Sequence, residues 1–156
     1  MLHISRYLAM VVLILAVVSV AIGATFIFQA VDKEAWIKET MRAEKVTFGV
    51  PEAAAKAGDV IDTAKEAQVA ADTIREHRRG IAPTYQALLG GGKYDPTNPA
   101  HLMYTQALNM ENYLYMAVLA FGVTAAIIGT GVFMVFVGIA FAATGVVLLE
   151  LAKRIQ

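Results

Sequence analysis

Few side chains in this sequence could build a reactive centre. His77 and His101, with Glu76, Asp95 or Glu111 as oxygen donors, could hold a metal ion or act as axial ligands to a haem. Their spacing supports neither, since no HxxxH, HExxH or CxxCH arrangement occurs. His3 lies far along the chain from both. The absence of cysteine removes disulfides, thiolate metal sites and cysteine nucleophiles together. Gly90-Gly91-Gly92-Lys93 has the glycines and the lysine of a phosphate-binding loop. That loop needs Ser or Thr after the lysine and a strand before the glycines, whereas Tyr94 follows here and a flexible turn is the simpler reading. The expectation is a chain with no catalytic residue, no metal and no cofactor, hence not an enzyme.

Two polar groupings remain. Arg75, His77, Arg78 and Arg79 form the densest basic spot. Arginine forks could take a carboxylate, a phosphate or a lipid headgroup, while cations at a helix C-terminus are also expected on electrostatic grounds alone. Asn109, Glu111, Asn112, Tyr113 and Tyr115 gather where a polar stretch meets an apolar one, as a membrane-boundary cluster. Glu111 is the last charge before 37 uncharged residues, Tyr113–Leu149, and is the one carboxylate placed for proton or cation chemistry at such a boundary.

The elements that must position these groups follow from the charge pattern. Of 26 charged residues among 156, 22 lie between Asp32 and Glu111, and Tyr7–Val31 carries none in 25 positions. Two uncharged runs of that length predict an all-α integral membrane protein. It divides into an N-terminal transmembrane anchor (1–31), a polar helical domain (32–112), a C-terminal transmembrane segment (113–150) and a basic tail (151–156). Equal numbers of basic and acidic residues argue against a nucleic-acid partner. The first run could be a cleaved signal peptide, but it is longer than a signal core and leads into Trp36, which favours a retained anchor. Small residues recur every seventh position on it, at Ala9, Ala16, Gly23 and Ala30, and would let another helix approach closely.

The second run is too long for one simple span: 37 helical residues reach about 55 Å against about 30 Å of hydrocarbon. Either Gly129-Thr130-Gly131 turns the chain and makes a hairpin, giving three spans, or one long helix spans with its C-terminal half, giving two. The all-round apolar character of 113–128 favours the hairpin. The unbroken series Ala117, Thr124, Gly131, Gly138, Gly145 and Ala152 favours one helix, because it runs straight through the proposed turn. The balance favours three spans. Lys153 and Arg154 argue for a cytoplasmic C-terminus, which puts 32–112 inside with three spans and outside with two.

Within the polar region, 32–46 should continue the first helix into water, and Pro51 should restart a short Ala-rich turn. Asp59 should cap a helix running to about Arg79, with Gly80 as its stop and Val60, Ala64, Ala67, Ala71 and Ile74 as its apolar stripe. A short helix should follow Pro83 and end at Gly90-Gly91-Gly92, and Asn98-Pro99 should open the last polar helix. The functional expectation is a non-catalytic membrane protein acting through helix packing, as an accessory or scaffold subunit or a self-associating oligomer. Its partners would be the bilayer and other membrane subunits or itself. The alternative is a ligand-binding or sensing module in the helical middle.

Overall fold

The computed structural model describes residues 2–47 and 58–154, so the Ala-rich turn expected after Pro51 lies outside the described residues. Four helices account for most of them: α1 (Leu2–Ala43), α2 (Ala64–Ile81), α3 (Tyr85–Leu89) and α4 (Pro99–Arg154). Among the described residues there is no strand, only an isolated bridge between Thr47 and Val60. The chain is all-helical, and α1 and α4 are both long and apolar enough to cross a membrane.

The expected hairpin is corrected: α4 is one helix through Gly129, Thr130 and Gly131. Glycine weakens a helix without stopping it when both flanks propagate strongly. Thr130 also stays within the helical pattern, its hydroxyl donating to the Ala126 carbonyl at 2.9 Å. The surplus length is used in packing, because the chain forms two compact units, Met1–Glu34 with Thr124–Gln156, and Ala35–Val123. The polar unit thus takes eleven residues of the apolar run, 113–123, rather than ending at 112.

In the first unit, α1 and α4 lie antiparallel, and the two small-residue series are each other's partners. A β-carbon added at Gly23 would stand 2.6 Å from the Gly131 carbonyl oxygen, and one at Gly131 would stand 2.7 Å from that of Gly23. Seven residues on, a β-carbon added at Gly138 would stand 2.9 Å from the Ala16 carbonyl oxygen, and seven further one added at Gly145 would stand 3.4 Å from that of Ala9. Ala9, Ala16, Ala30 and Thr124 are buried in the same seam. No side chain larger than these would admit backbones so close, which is why the repeat is seven on both helices. Ser19 adds an interhelical bond, its hydroxyl donating to the Met134 carbonyl at 2.7 Å.

The second unit packs α2 onto the polar end of α1 and the first part of α4. Ala67, Ala70 and Ala71 of α2 are buried with Met41, Ile61, Leu114 and Phe121. α2 begins later than Asp59: its N-cap is Thr63, whose hydroxyl accepts from the Glu66 N–H while the Glu66 carboxylate accepts from the Thr63 N–H. That reciprocal box outcompetes an Asp cap without the returning carboxylate, because it satisfies two orphan donors at once. Residues before it are used elsewhere, the Ile61 N–H donating to the Val46 carbonyl at 2.8 Å and Asp62 pairing with Arg42. The stripe shifts accordingly, with Ile61 buried and Val60 at the surface. α2 passes Gly80 and ends at Ile81 with Ala82 as its cap, while Gly90 in the left-handed region (φ 56°) ends α3. Asn98 Oδ1 accepts from the Ala100 N–H at the start of α4, as expected.

Candidate functional site

Chemistry in the second unit is concentrated where α2 crosses α4. Asp72, Arg75 and Arg78 recur every third residue on α2, and Tyr104, Glu111 and Tyr115 are spaced seven and four apart on α4, so each trio lies along one helix face. The two trios meet as antiparallel rows. Arg78 Nε donates to Glu111 Oε2 at 2.7 Å, and its Nη1 donates to the Tyr104 hydroxyl at 2.5 Å. All three residues are buried, Tyr104 retaining 1% of its surface. The Tyr85 ring from α3 lies 6.1 Å from that of Tyr104, tilted by 45°. One turn along, the Tyr115 hydroxyl donates to Asp72 at 2.5 Å, and Arg75 pairs with the same carboxylate at 2.7 Å.

Such an arrangement keeps the arginine charged. The Glu111 hydrogen bond holds the Arg78 guanidinium above its ordinary value, outweighing the opposite pull of burial. A buried ion pair whose arginine also donates to a buried tyrosine hydroxyl is a closed structure, with each charge already answered.

The basic spot read from the sequence is therefore divided. Arg78 faces inward to Glu111 and Arg75 to Asp72, while His77 and Arg79 are exposed on α2. The boundary cluster divides likewise: Glu111 and Tyr115 turn to α2, whereas Asn109, Asn112 and Tyr113 face away and are exposed. Tyr104 and Asp72 were not singled out in the sequence, although their three-, four- and seven-residue spacing from the charged groups was there to be read.

His101 is engaged through both ring nitrogens. Its Nδ1 accepts the Asp95 N–H at 3.0 Å, which requires the proton on Nε2, and Nε2 lies 3.2 Å from the Leu88 carbonyl as donor. The Tyr94 ring stacks on it at 5.7 Å. Asp95 itself turns the loop: the Thr97 hydroxyl and N–H both donate to its Oδ1, holding the carboxyl below its ordinary range. His101 thus pins the α3–α4 loop to α4, and binding a metal would break one of these bonds. Among the described residues no three of His, Asp and Glu gather as a metal site would require.

Comparison with protein families, with curated proteins and with solved structures finds no match to this chain.

Proposed function

We propose that this chain is a two-span integral membrane protein that performs no chemistry and works by helix packing, as an accessory or scaffold subunit or as a self-associating oligomer. One observation carries the membrane reading. In the first unit, Leu8, Val11, Ile14, Val17, Phe28 and Phe133 are exposed by half or more on helices whose apolar windows are only 17% and 11% buried. The core helix of a water-soluble protein would be covered, and only lipid covers this much apolar surface without further protein. Hydroxyls on the same surface behave as lipid demands: Thr25 and Thr144 donate to the carbonyls four residues back, at 2.8 and 2.9 Å.

The lengths agree. The uncharged run 7–31 of α1 lies against 124–149 of α4, each reaching about 38 Å, enough to cross about 30 Å of hydrocarbon with some tilt. An antiparallel pair puts both termini on one side. Lys153 and Arg154 make that side the cytoplasm under the positive-inside rule, so Ala35–Val123 faces outward. The sensing alternative draws on Arg75, His77, Arg78, Arg79 and the loop 94–99; Arg75 and Arg78 are engaged by Asp72 and Glu111, which leaves it the exposed His77 and Arg79 and a loop held by His101. Packing is the better supported reading.

The test is purification of the tagged protein in a mild detergent after alkaline carbonate washing of membranes, followed by mass determination of the intact complex. A fixed stoichiometry, with itself or with larger membrane proteins, is the expected result. Release by carbonate, or a strictly monomeric particle that comes alone, would overturn the proposal.

A further inference from the structure

The small-residue seams are spent on each other inside the chain, so they cannot be the surface through which one copy meets the next. The second unit shows another surface. Tyr113, Met116, Ala120 and Val123 follow at intervals of three, four and three along α4, on the side turned away from the core, with Leu119 on its flank. Tyr113 is 71% exposed, Met116 64%, Leu119 67% and Val123 48%. No charged side chain interrupts them. Beside them in the same unit α1 is already polar, with Met41 packed in the core alongside Leu114 while Glu39 and Arg42 are exposed. An apolar face level with exposed charges is not where hydrocarbon covers a helix.

We infer that this face of α4 is the contact between two copies of the chain, packed in parallel about a two-fold axis along the membrane normal. The inference rests on the membrane reading above, since anchoring in one bilayer is what sets two copies parallel and at equal height. Three features select a second copy as occupant. The three-four spacing is that of a coiled-coil seam, so the matching surface is another helix with the same repeat. A face that meets its own image cannot set like charges against each other near the axis, and this one carries no charge at all. The four large side chains leave on the order of 500 Å² per copy uncovered, so a pair would bury about 1,000 Å², the size at which specific interfaces begin.

The lack of native cysteine makes the test direct. Single-cysteine variants at Tyr113, Met116, Ala120 and Val123 are oxidised in native membranes, with exposed Gln68→Cys and Glu76→Cys on α2 as controls, and dimer yield is read on a denaturing gel. Like positions on a two-fold seam lie within about 7 Å, close enough for a disulfide. Strong dimer bands at the seam positions and weak ones at the controls are expected. Leu119→Glu placed in the Met116→Cys background should lower that yield about tenfold. No dimer above the Gln68 level, equal yield at every position, or an adduct of another mass would each overturn the inference. Carbonate washing of the same membranes separates the two failures: protein that stays in the pellet without cross-linking refutes only the dimer, and protein released refutes the membrane reading itself.

Discussion

Arg78 and Glu111 bring together the two helices that bear most of the second unit's polar chemistry, and their coupling can be measured. Each side chain keeps under a tenth of its surface, and the pair is closed by a 2.7 Å bond. Removing one partner leaves the other buried and unanswered, which costs about 3–5 kcal/mol. Arg78→Met and Glu111→Leu should each therefore lower the thermal midpoint of the purified protein in mild detergent by more than about 10 °C. The double variant has no stranded charge, and its loss should be about 1 kcal/mol, arising mainly from the Tyr104 hydroxyl that no longer has its partner. The arginine side of the pair also has a defined pH behaviour. Because the folded-state value is raised, its stabilisation is complete below the ordinary arginine value and is lost only as pH rises through the still higher folded one. Deprotonation of Arg78 should therefore leave no step in the stability profile between neutrality and pH 10. Circular dichroism at the helical minimum, followed against temperature for the four proteins of the cycle, supplies the readout. Two single variants that each cost under about 1 kcal/mol, with a double equal to their sum, would refute the reasoning.

Other perturbations test other joints of the structure. Gly131→Ala and Gly138→Ala drive a methyl into the facing backbone and should each destabilise by about 1–3 kcal/mol, whereas Gly129→Ala meets open space and should be neutral or stabilising in the same melting assay. Thr63→Ala removes the α2 cap and should cost about 1 kcal/mol, visible as faster amide exchange in the first turn of α2. Asp95 has a depressed value, so the loop order it provides is present above the unfolded value and is lost as pH falls through the lower folded one; limited proteolysis should cut near Tyr94–Asn98 only below about pH 4, and Asp95→Asn should abolish that pH dependence.

The sequence made the helical class, the two apolar runs and both seven-residue series legible, because period and charge gaps are local properties. Where the chain places Asn98-Pro99 at a helix start or Gly90 at a helix end, local chemistry decides, and the reading and the structure agree. The hairpin at Gly129–Gly131 misled for a physical reason. A helix face that looks exposed in a one-dimensional pattern is covered when another segment supplies a matching surface, and the alanines of α2 lie far away in sequence from Leu114 and Phe121. The same limit hid the pairing of the two small-residue series. Each was visible as a surface awaiting a partner, but that the partner was the other series depends on an antiparallel register set by many contacts at once. In the candidate site, Arg78 stands out in the sequence by its charge and its partner Tyr104 does not, since the seven-residue spacing from Glu111 shows a shared helix face but not which helix crosses it.

Sidedness decides the two-span topology most directly. Single cysteines at His77, Thr130 and Lys153, treated with a membrane-impermeant maleimide in intact and then permeabilised cells, report three heights of the chain. Two spans require His77→Cys to label from outside, Lys153→Cys to label only after permeabilisation, and Thr130→Cys to stay unlabelled within the bilayer. Labelling of His77→Cys and Lys153→Cys from the same side, with Thr130→Cys reactive from the other, would mean a turn at Gly129–Gly131 after all and would contradict the account.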